Sequence, residues 1–227
     1  MTPQVRLAAD AAEGLRFEHD LFSADGPQVG LWASVAPGIV CPRRFERTNG
    51  FAAACKALSA QGWPVLLRTT GGGAVPQGAG VVNLALSYNA PARFTIEDGY
   101  RLLIGALQEG LRSTQITVSP GATPGSFCDG GWNLSIKGKK FIGTTQRWRP
   151  EASKGPRVLA HALILTEETF QPGTDAVSEF HRHFGLSEIN RAAHTSLAAA
   201  TDITELPADA LYDAAMRACQ FQTDKTK

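Results

Sequence analysis

A chain of 227 residues, 43% hydrophobic and 19% charged, has the length and composition of one ordinary globular domain. The formal net charge of +1 excludes a general positive field that would attract nucleic acid or an anionic membrane. No apolar run reaches the roughly 20 residues that cross a bilayer, and the first residues lack the apolar segment of a signal peptide. The cysteines are too widely spaced for a zinc site. We therefore expect a cytoplasmic protein with reduced thiols and no metal.

Regular structure is expected from near Leu15, after a loosely ordered N-terminus. The stretch FAAACKALSAQG, residues 51–62, has apolar residues at helical spacing and Gly62 where a helix would end. WPVLLRTT then predicts a strand. The glycine-rich loop GGGAVPQGAG joins it to a second strand, VVNLALSY, in which apolar and smaller or polar residues alternate.

The segment TIEDGYRLLIGALQEGLRS predicts a helix that begins with a capping box at Thr95. Its apolar face is predicted to comprise Ile96, Tyr100, Leu103, Ile104, Leu107 and Leu111. TQITVS predicts a strand, WNLSIKGKKFIGTTQRW a hairpin that turns at Gly138, and RVLAHALILT a further strand of the same sheet. Two amphipathic helices are expected near residues 175–184 and 208–219.

These elements together predict an α+β fold, with a mixed, mainly antiparallel sheet and helices packed on one side. We expect a single domain over residues 1–227. Within it, residues 1–12 are expected to be loosely ordered, and residues 174–221 to form a helical C-terminal segment.

The loop in RTTGGGAVPQGAG is a candidate binding element. It matches neither the phosphate loop nor the dinucleotide fingerprint, because its glycines precede a strand rather than a helix. Glycines let the backbone approach a ligand closely and present N–H groups to it. Arg68 could reach the same pocket. A flexible turn beside a surface arginine is an equally good interpretation, and spacing leaves both open.

Cys128 precedes Lys140 by twelve residues in GSFCDGGWNLSIKGKKFIGTTQRW. A nearby cation lowers the pKa of a thiol and increases the reactive thiolate fraction. Alternation along the strand predicts that Lys140 shares one face with Ile142 and Thr144. Lys139 then lies on the opposite face, so only one of the two lysines can point into a given pocket. A core thiol near a solvated turn is the alternative, which spacing does not exclude.

The motifs RTTGGGAV, GVVNLALSY and KGKKFIGTTQRW together resemble the biotin/lipoate protein ligase catalytic-domain family, in its lipoate-ligase and octanoyltransferase branch. The stretch around Cys128 is most similar to the octanoyl-[glycine cleavage H protein] N-octanoyltransferases, whose pattern resembles GSYCPGxxDLSIxGKKFAGxxQRR. The resemblance covers about Leu31 to Leu165. It implies that Cys128 carries an octanoyl or lipoyl group as a thioester between lysines of lipoyl domains. It implies that Lys140 supplies the charge that tunes the thiol and stabilises the acyl oxygen.

The resemblance also implies a biotin/lipoate ligase-like fold and the partners of the enzyme. These partners are lipoyl-domain proteins, namely the glycine cleavage H protein and E2 subunits of 2-oxoacid dehydrogenases. Val75 and Leu84 are expected to form an apolar floor for the acyl chain, and the transferase reaction needs no cofactor. The predicted substrate-binding residues are Arg68, Gly71, Gly72, Gly73, Ala74, Val75, Asn83, Gly143 and Thr144.

Some positions depart from the family pattern. Asp129, Asn133 and Trp148 stand where the transferases tend to have Pro, Asp and Arg, and Pro76-Gln77-Gly78 replaces a His-Asp pair of many ligases. The alternative function is an ATP-dependent lipoate or octanoate ligase, which would use ATP and Mg to form an acyl-adenylate. A non-catalytic module that binds a lipoylated domain or a free acyl ligand is a third possibility. His161 is expected to be a hydrogen-bonded core residue.

Overall fold

The computed structural model describes residues 4–151 and 155–224, with side chains as far as residue 220. The first half contains β1 (Arg6–Ala8), α1 (Ala11–Ser23), β2 (Gln28–Ser34), β3 (Gly38–Pro42), α2 (Phe51–Ala60), β4 (Val65–Arg68), β5 (Val75–Gln77) and β6 (Val81–Asn89). The second half contains α3 (Ile96–Gly110), β7 (Ser119–Pro120), β8 (Leu134–Ile136), β9 (Lys139–Arg149), β10 (Arg157–Leu165), α4 (Gln171–Arg182), α5 (Leu197–Ala200) and α6 (Ala208–Asp224).

The strands form two sheets. Seven strands follow the order β1-β2-β6-β10-β9-β8-β7, and only the pair β1–β2 in this sheet is parallel. Three strands form a second sheet in the order β4-β3-β5, in which β3 and β4 are parallel. The expected α+β fold with a mainly antiparallel sheet is therefore confirmed. The second sheet was not predicted.

Helices cover both faces of the large sheet, so the expectation of one covered side is wrong. On one face, α3 and α6 pack against a core that includes Leu84 and Leu86 of β6. On the other face, Leu21 and Phe22 of α1 pack against Ala85. The central strands are apolar on both sides, since neighbouring residues such as Leu84 and Ala85 are both fully buried. A strand of this kind needs a covering layer on each face.

A second hydrophobic cluster joins the small sheet to the large one. It contains Leu58 of α2 and Phe180 of α4, together with Val40 of β3. Leu163 and Leu165 of β10 also belong to this cluster. The small sheet therefore packs over the face of the large sheet that α1 partly covers, and the glycine loop between β4 and β5 lies at this junction.

Most elements predicted from local patterns are present: α2, α3, the hairpin of β8 and β9, β10, α4 and α6. Thr95 forms the predicted capping box with Asp98. Regular structure begins earlier than predicted, because β1 pairs with β2 and the Asp10 side chain caps α1; residues 1–3 of the expected loose N-terminus lie outside the described residues.

Two other local predictions are wrong. The strand predicted over residues 114–119 is limited to pairing at Ser119–Pro120, because Gln115 adopts a φ of 58° and ends a 3-10 helix there. Ile96 is 60% exposed and does not belong to the apolar face of α3. Within the described residues, no helix is both long and apolar enough to cross a membrane.

Candidate active site

Cys128 lies in the loop between β7 and β8, opposite the glycine loop. Its backbone φ is 47°, in the left-handed region, and its Sγ accepts a hydrogen bond of 3.0 Å from the Gly73 N–H. A Cβ added at Gly72 would lie 2.7 Å from this Sγ, and one at Gly73 would lie 3.1 Å from the Cys128 Cα. Two of the three consecutive glycines therefore leave the space that the cysteine occupies.

Arg68 supports the glycine loop from inside. It is 5% exposed, and its guanidinium donates hydrogen bonds to the carbonyls of Val40, Gly71 and Gly73 at 2.7 to 3.0 Å. The interpretation of Arg68 as a surface residue beside a flexible turn is therefore wrong. Because the side chain holds two carbonyls of the loop, it fixes the direction of the Gly73 N–H toward the thiol.

Lys140 is fully buried and points at the cysteine loop. Its Nζ donates to the carbonyls of Phe127 at 2.5 Å and Cys128 at 3.0 Å, and lies 4.7 Å from the centre of the Phe127 ring. Lys139 is exposed at the hairpin turn. The two lysines therefore point in different directions, as predicted, but Lys140 packs behind the cysteine loop and is not among the residues that line the cleft beside Cys128.

The predicted face-sharing of Lys140 with Ile142 is wrong because β9 contains a bulge. Leu134 of β8 pairs with Ile142, but the next residue, Ser135, pairs with Lys140, so Phe141 is the extra residue. Phe141 and Ile142 both enter the core beneath α3 and α6. Lys140 instead shares a face with Gly143, at which an added Cβ would lie 3.3 Å from the lysine Cε.

The charges around Cys128 favour its thiolate. Burial raises the pKa of Cys128, but the positive charges of Lys140 and Arg68, with the Gly73 N–H, outweigh burial and hold this pKa below its usual value. Burial lowers the pKa of Lys140 to about 8, although the nearby thiolate acts in the opposite direction. The site can therefore hold a thiolate beside an ammonium near neutral pH.

A cleft opens beside Cys128 on the face of the sheet away from α3 and α6. Its empty volume, with the mouth included, is about 430 Å³. Its apolar lining comes from Leu15, Trp32, Val40, Val75, Ala162 and Leu163, and its polar lining from Glu18, Arg68, Gln77, Asn83, Thr144, Thr145 and His161. A nucleophile at the side of a largely apolar cleft is suited to acyl transfer.

Comparison with known proteins shows the family to which this chain belongs. The model of the lipoyl protein ligase A/B catalytic domain matches residues 23–219. This chain belongs to that family. The motifs around the glycine loop and Cys128 predict the lipoate-ligase and octanoyltransferase branch of this family. The match confirms that resemblance.

Two known proteins match much of the chain. An uncharacterized protein of Cupriavidus necator is 35% identical over 156 residues, 63% of this chain and 62% of that protein. The octanoyl-[GcvH]:protein N-octanoyltransferase of Kyrpidia tusciae is 30% identical over 203 residues, 86% of this chain and 68% of that protein. The matched part of this chain thus spans about two thirds of the length of these relatives.

Solved structures of lipoate ligases share the fold. A lipoate protein ligase of Thermoplasma acidophilum with bound lipoic acid has a TM-score of 0.70 at 16% identity, covering 99% of this chain and 86% of that one. A lipoate-protein ligase A bound with ATP has a TM-score of 0.66 at 16% identity, with the same coverage. The expected biotin/lipoate ligase-like fold is therefore confirmed.

The predicted substrate-binding residues surround the cleft to different degrees. Val75, Asn83, Gly143 and Thr144 line it, together with Arg68. Gly71, Gly72 and Gly73 form the loop over Cys128, and Ala74 is fully buried behind that loop. The prediction that Leu84 forms part of the apolar floor for the acyl chain is wrong. Leu84 points into the core beneath α3 and α6, while its neighbour Asn83 faces the cleft.

Two polar pairs in the cleft were not predicted. His161 places Nδ1 3.0 Å from both carboxylate oxygens of Glu18, which also accepts a 3.0 Å hydrogen bond from the Trp32 indole. Gln77 and Asn83 exchange two amide hydrogen bonds, at 2.8 and 3.1 Å. The hydrogen-bonded character expected of His161 is present, but Glu18 lies 143 residues away, and no local pattern connects the two.

His194 is a second unpredicted residue, and it supports the cysteine loop. Its Nε2 accepts a hydrogen bond from the Phe127 N–H, so Nδ1 carries the proton and donates to the Asn190 carbonyl. The ring stacks on Phe127 with centroids 4.4 Å apart. Burial, with the Lys140 charge, lowers the pKa of His194 to about 4, so the ring is neutral at neutral pH. Among residues 4–151 and 155–224, no cluster of three or more His, Cys, Asp or Glu side chains could hold a metal.

Proposed function

We propose that this protein is an acyltransferase that moves an octanoyl or lipoyl group between lysines of lipoyl domains through a thioester on Cys128. One observation carries the proposal: the Cys128 Sγ accepts a 3.0 Å hydrogen bond from the Gly73 N–H, while Lys140 donates a hydrogen bond to the carbonyl of the same cysteine. The name of the Kyrpidia tusciae relative, an octanoyltransferase that acts on GcvH, supports the same reaction.

In the first half of the reaction, the Cys128 thiolate attacks the carbonyl carbon of the octanoyl-lysine amide. Negative charge develops on the carbonyl oxygen, and the Gly73 N–H and the Lys140 ammonium are the donors that we assign to it. The C–N bond then breaks, and the lysine amine leaves with a proton. We assign Lys140 as the source of this proton because its pKa lies near 8.

In the second half, the amine of the acceptor lysine attacks the thioester carbonyl. The C–S bond breaks, Cys128 returns to its thiolate form, and Lys140 takes up the proton that the incoming amine releases. Acyl transfer therefore balances without a nucleotide or a metal.

The cleft is the part of the site that we assign to the acyl chain. Each buried methylene contributes roughly 0.8 kcal/mol, so contact with Val75, Trp32 and Leu163 can hold a medium-length chain largely through apolar burial. Asn83, Gly143 and Thr144 line the same cleft and are assigned to substrate contact. The proposed partners are the glycine cleavage H protein and E2 lipoyl domains.

The test uses octanoylated H protein without ATP, followed by intact-mass spectrometry of this chain. We expect one octanoyl adduct that hydroxylamine removes. Cys128→Ala should abolish the adduct. Cys55→Ala is the matched control and should retain it, because Cys55 is a partly exposed thiol whose pKa burial raises.

Absence of the adduct on wild-type protein, with a donor that is competent with another transferase, would contradict the proposal. The alternative function, an ATP-dependent ligase, would then be tested with octanoate, ATP, Mg and an apo lipoyl domain. Of the functions considered, only the ligase forms an acyl-adenylate from these components. Saturable binding without turnover in either assay would identify a binding module.

A further inference from the structure

The floor of the cleft beside Cys128 is one row of residues that crosses the large sheet. Gly143 of β9 pairs with Leu163 of β10, and Leu163 pairs with Asn83 of β6. Asn83 in turn pairs with Trp32 of β2. Residues directly opposite each other on antiparallel strands share a face of the sheet. All four residues line the cleft, which therefore runs along this row from β9 toward β2.

The cysteine stands at the β9 end of the row. Cys128 lines the cleft, and its carbonyl accepts a hydrogen bond from Lys140 Nζ. A Cβ added at Gly143 would lie 3.4 Å from the same Nζ, so the first residue of the row lies next to the cysteine loop. An acyl chain on the Cys128 sulfur that fills the cleft therefore extends from β9 toward β6.

Side chains close the opposite end of the row. Gln77 is the last residue of β5, and its amide exchanges two hydrogen bonds with the Asn83 amide, at 2.8 and 3.1 Å. Both residues are 4% exposed. Behind Asn83, the indole of Trp32 is buried and donates to Glu18 of α1. The oxygen and the nitrogen of each amide are both bonded, so this end wall is held in place by its own contacts.

The distance from Cys128 to this wall matches an eight-carbon chain. Neighbouring strands lie about 4.8 Å apart, so Asn83 stands about 10 Å from Gly143, two strands away. Through the chain, four residues separate Gly73, which is bonded to Sγ, from Gln77, a span of at most about 14 Å. An extended octanoyl chain, with C–C bonds of about 1.5 Å, reaches roughly 10 Å from the sulfur that carries it. Its terminal methyl group therefore meets the amide pair.

Chains of other lengths fit this cleft less well. A longer chain has to separate the two amides, and a buried amide that loses its partner in an apolar site is strongly disfavoured. A shorter chain leaves part of the row uncovered and loses apolar burial. The amide pair therefore sets an upper limit on chain length, while the apolar lining disfavours short chains.

We propose that the Gln77–Asn83 amide pair determines acyl-chain specificity by limiting the chain to about eight carbons. This inference rests on the proposed function, because it takes the cleft beside Cys128 as the site of the acyl chain. It goes beyond that function because it assigns the length limit to two side chains. One of them, Gln77, was not predicted as a substrate-binding residue.

The test measures binding of hexanoate, octanoate, decanoate and dodecanoate to the wild-type protein by isothermal titration calorimetry. Two added methylenes that find apolar contact tighten binding by about tenfold. We expect this gain between hexanoate and octanoate, and no gain between octanoate and decanoate. Tightening that continued through dodecanoate would overturn the inference. Absence of binding by all four acids would overturn the assignment of the cleft to the acyl chain.

Removal of both amides together should move the limit. Gln77→Ala/Asn83→Ala leaves neither amide unpaired and opens the end of the cleft, so decanoate should bind about tenfold more tightly than octanoate. Val75→Ala enlarges the cleft two residues before Gln77 and should weaken both acids alike. Gln108→Ala is the matched control at an exposed site of α3 and should change neither affinity.

A double variant with native circular dichroism and the wild-type order of affinities would overturn the role of the pair. If the double variant failed to fold, the wild-type series would still decide the length limit. Free acids form no thioester, so the result does not depend on the nucleophile. If Cys128→Ala retained acyl transfer, the thioester route would fail while the series still reported on the amide pair. If the adduct formed but decanoate bound wild-type protein more tightly than octanoate, the length limit alone would fail.

Discussion

The contact between Cys128 and Gly72 joins residues from two distant loops, and each depends on the backbone of the other. Cys128 adopts a φ of 47° and Gly72 a φ of +92°. The Sγ occupies the space that a Cβ at Gly72 would need. The glycine loop is therefore part of the immediate surroundings of the Cys128 thiol, and the space that this thiol occupies excludes a side chain at Gly72.

Gly72→Ala is expected to impair formation of the octanoyl thioester at least tenfold, because the methyl group would displace the thiol from the Gly73 N–H. The positive φ adds backbone strain of about 1 kcal/mol. Hydroxylamine-sensitive adduct formation measures the first effect, and urea unfolding measures the second.

Gly131→Ala is the matched control in the cysteine loop, since no described atom lies within 4 Å of a Cβ built there. It should retain full adduct formation and change the free energy of unfolding by less than about 0.5 kcal/mol. Equal loss in both variants would show that the space beside the Cys128 Sγ is not what matters.

At the scale of single elements, sequence patterns were informative wherever a local rule decides the structure. The capping box at Thr95, the turn at Gly138 and the apolar spacing of α2 are all present as predicted. Sequence patterns failed where tertiary contacts decide the local structure. The bulge at Phe141 depends on the register between β8 and β9, and no alternation rule includes an extra residue.

The first turn of α3 offers a test of this distinction. Thr95→Ala should lower the free energy of unfolding by about 1 kcal/mol, because the Asp98 N–H loses its side-chain acceptor. Ile96→Ala should change it by less than about 0.5 kcal/mol, because the side chain is 60% exposed. Urea denaturation measures both, and a larger loss for Ile96→Ala would show that the apolar face predicted from the sequence extends to this residue.

At the scale of the whole molecule, the two hydrophobic clusters share a strand. Leu163 of β10 belongs to the cluster beneath the small sheet, and its neighbour Ala162 belongs to the cluster beneath α3 and α6. Neither cluster can lose β10 without disturbing the other. The prediction that residues 1–227 form a single domain is therefore expected to hold in solution.

Leu58→Ala and Leu103→Ala test this expectation, since each removes a fully buried side chain from a different cluster. Each should lower the midpoint of the same unfolding transition, with a loss of about 2 to 5 kcal/mol. Tryptophan fluorescence and far-ultraviolet circular dichroism should report coincident transitions in both variants. Two resolved transitions, each shifted by only one of the substitutions, would divide the chain into separate units.

The site could be predicted from sequence only in outline. The motifs predict Cys128, Lys140 and the glycine loop as site residues because each has a distinctive residue type and spacing. The groups that complete the surroundings, such as Glu18 and His194, come from helices and loops that meet only in the folded chain. Their chemistry depends on burial and on partners far away in sequence, and neither is encoded in a local pattern.

The left-handed backbone at Cys128 has a consequence for selection. A glycine at position 128 would remove about 1 kcal/mol of backbone strain together with the proposed nucleophile. On the backbone contribution alone, the chain without this cysteine is the more stable one. Selection for thermal resistance alone would therefore favour loss of this cysteine, and the thioester chemistry that we propose is what would offset its cost in stability.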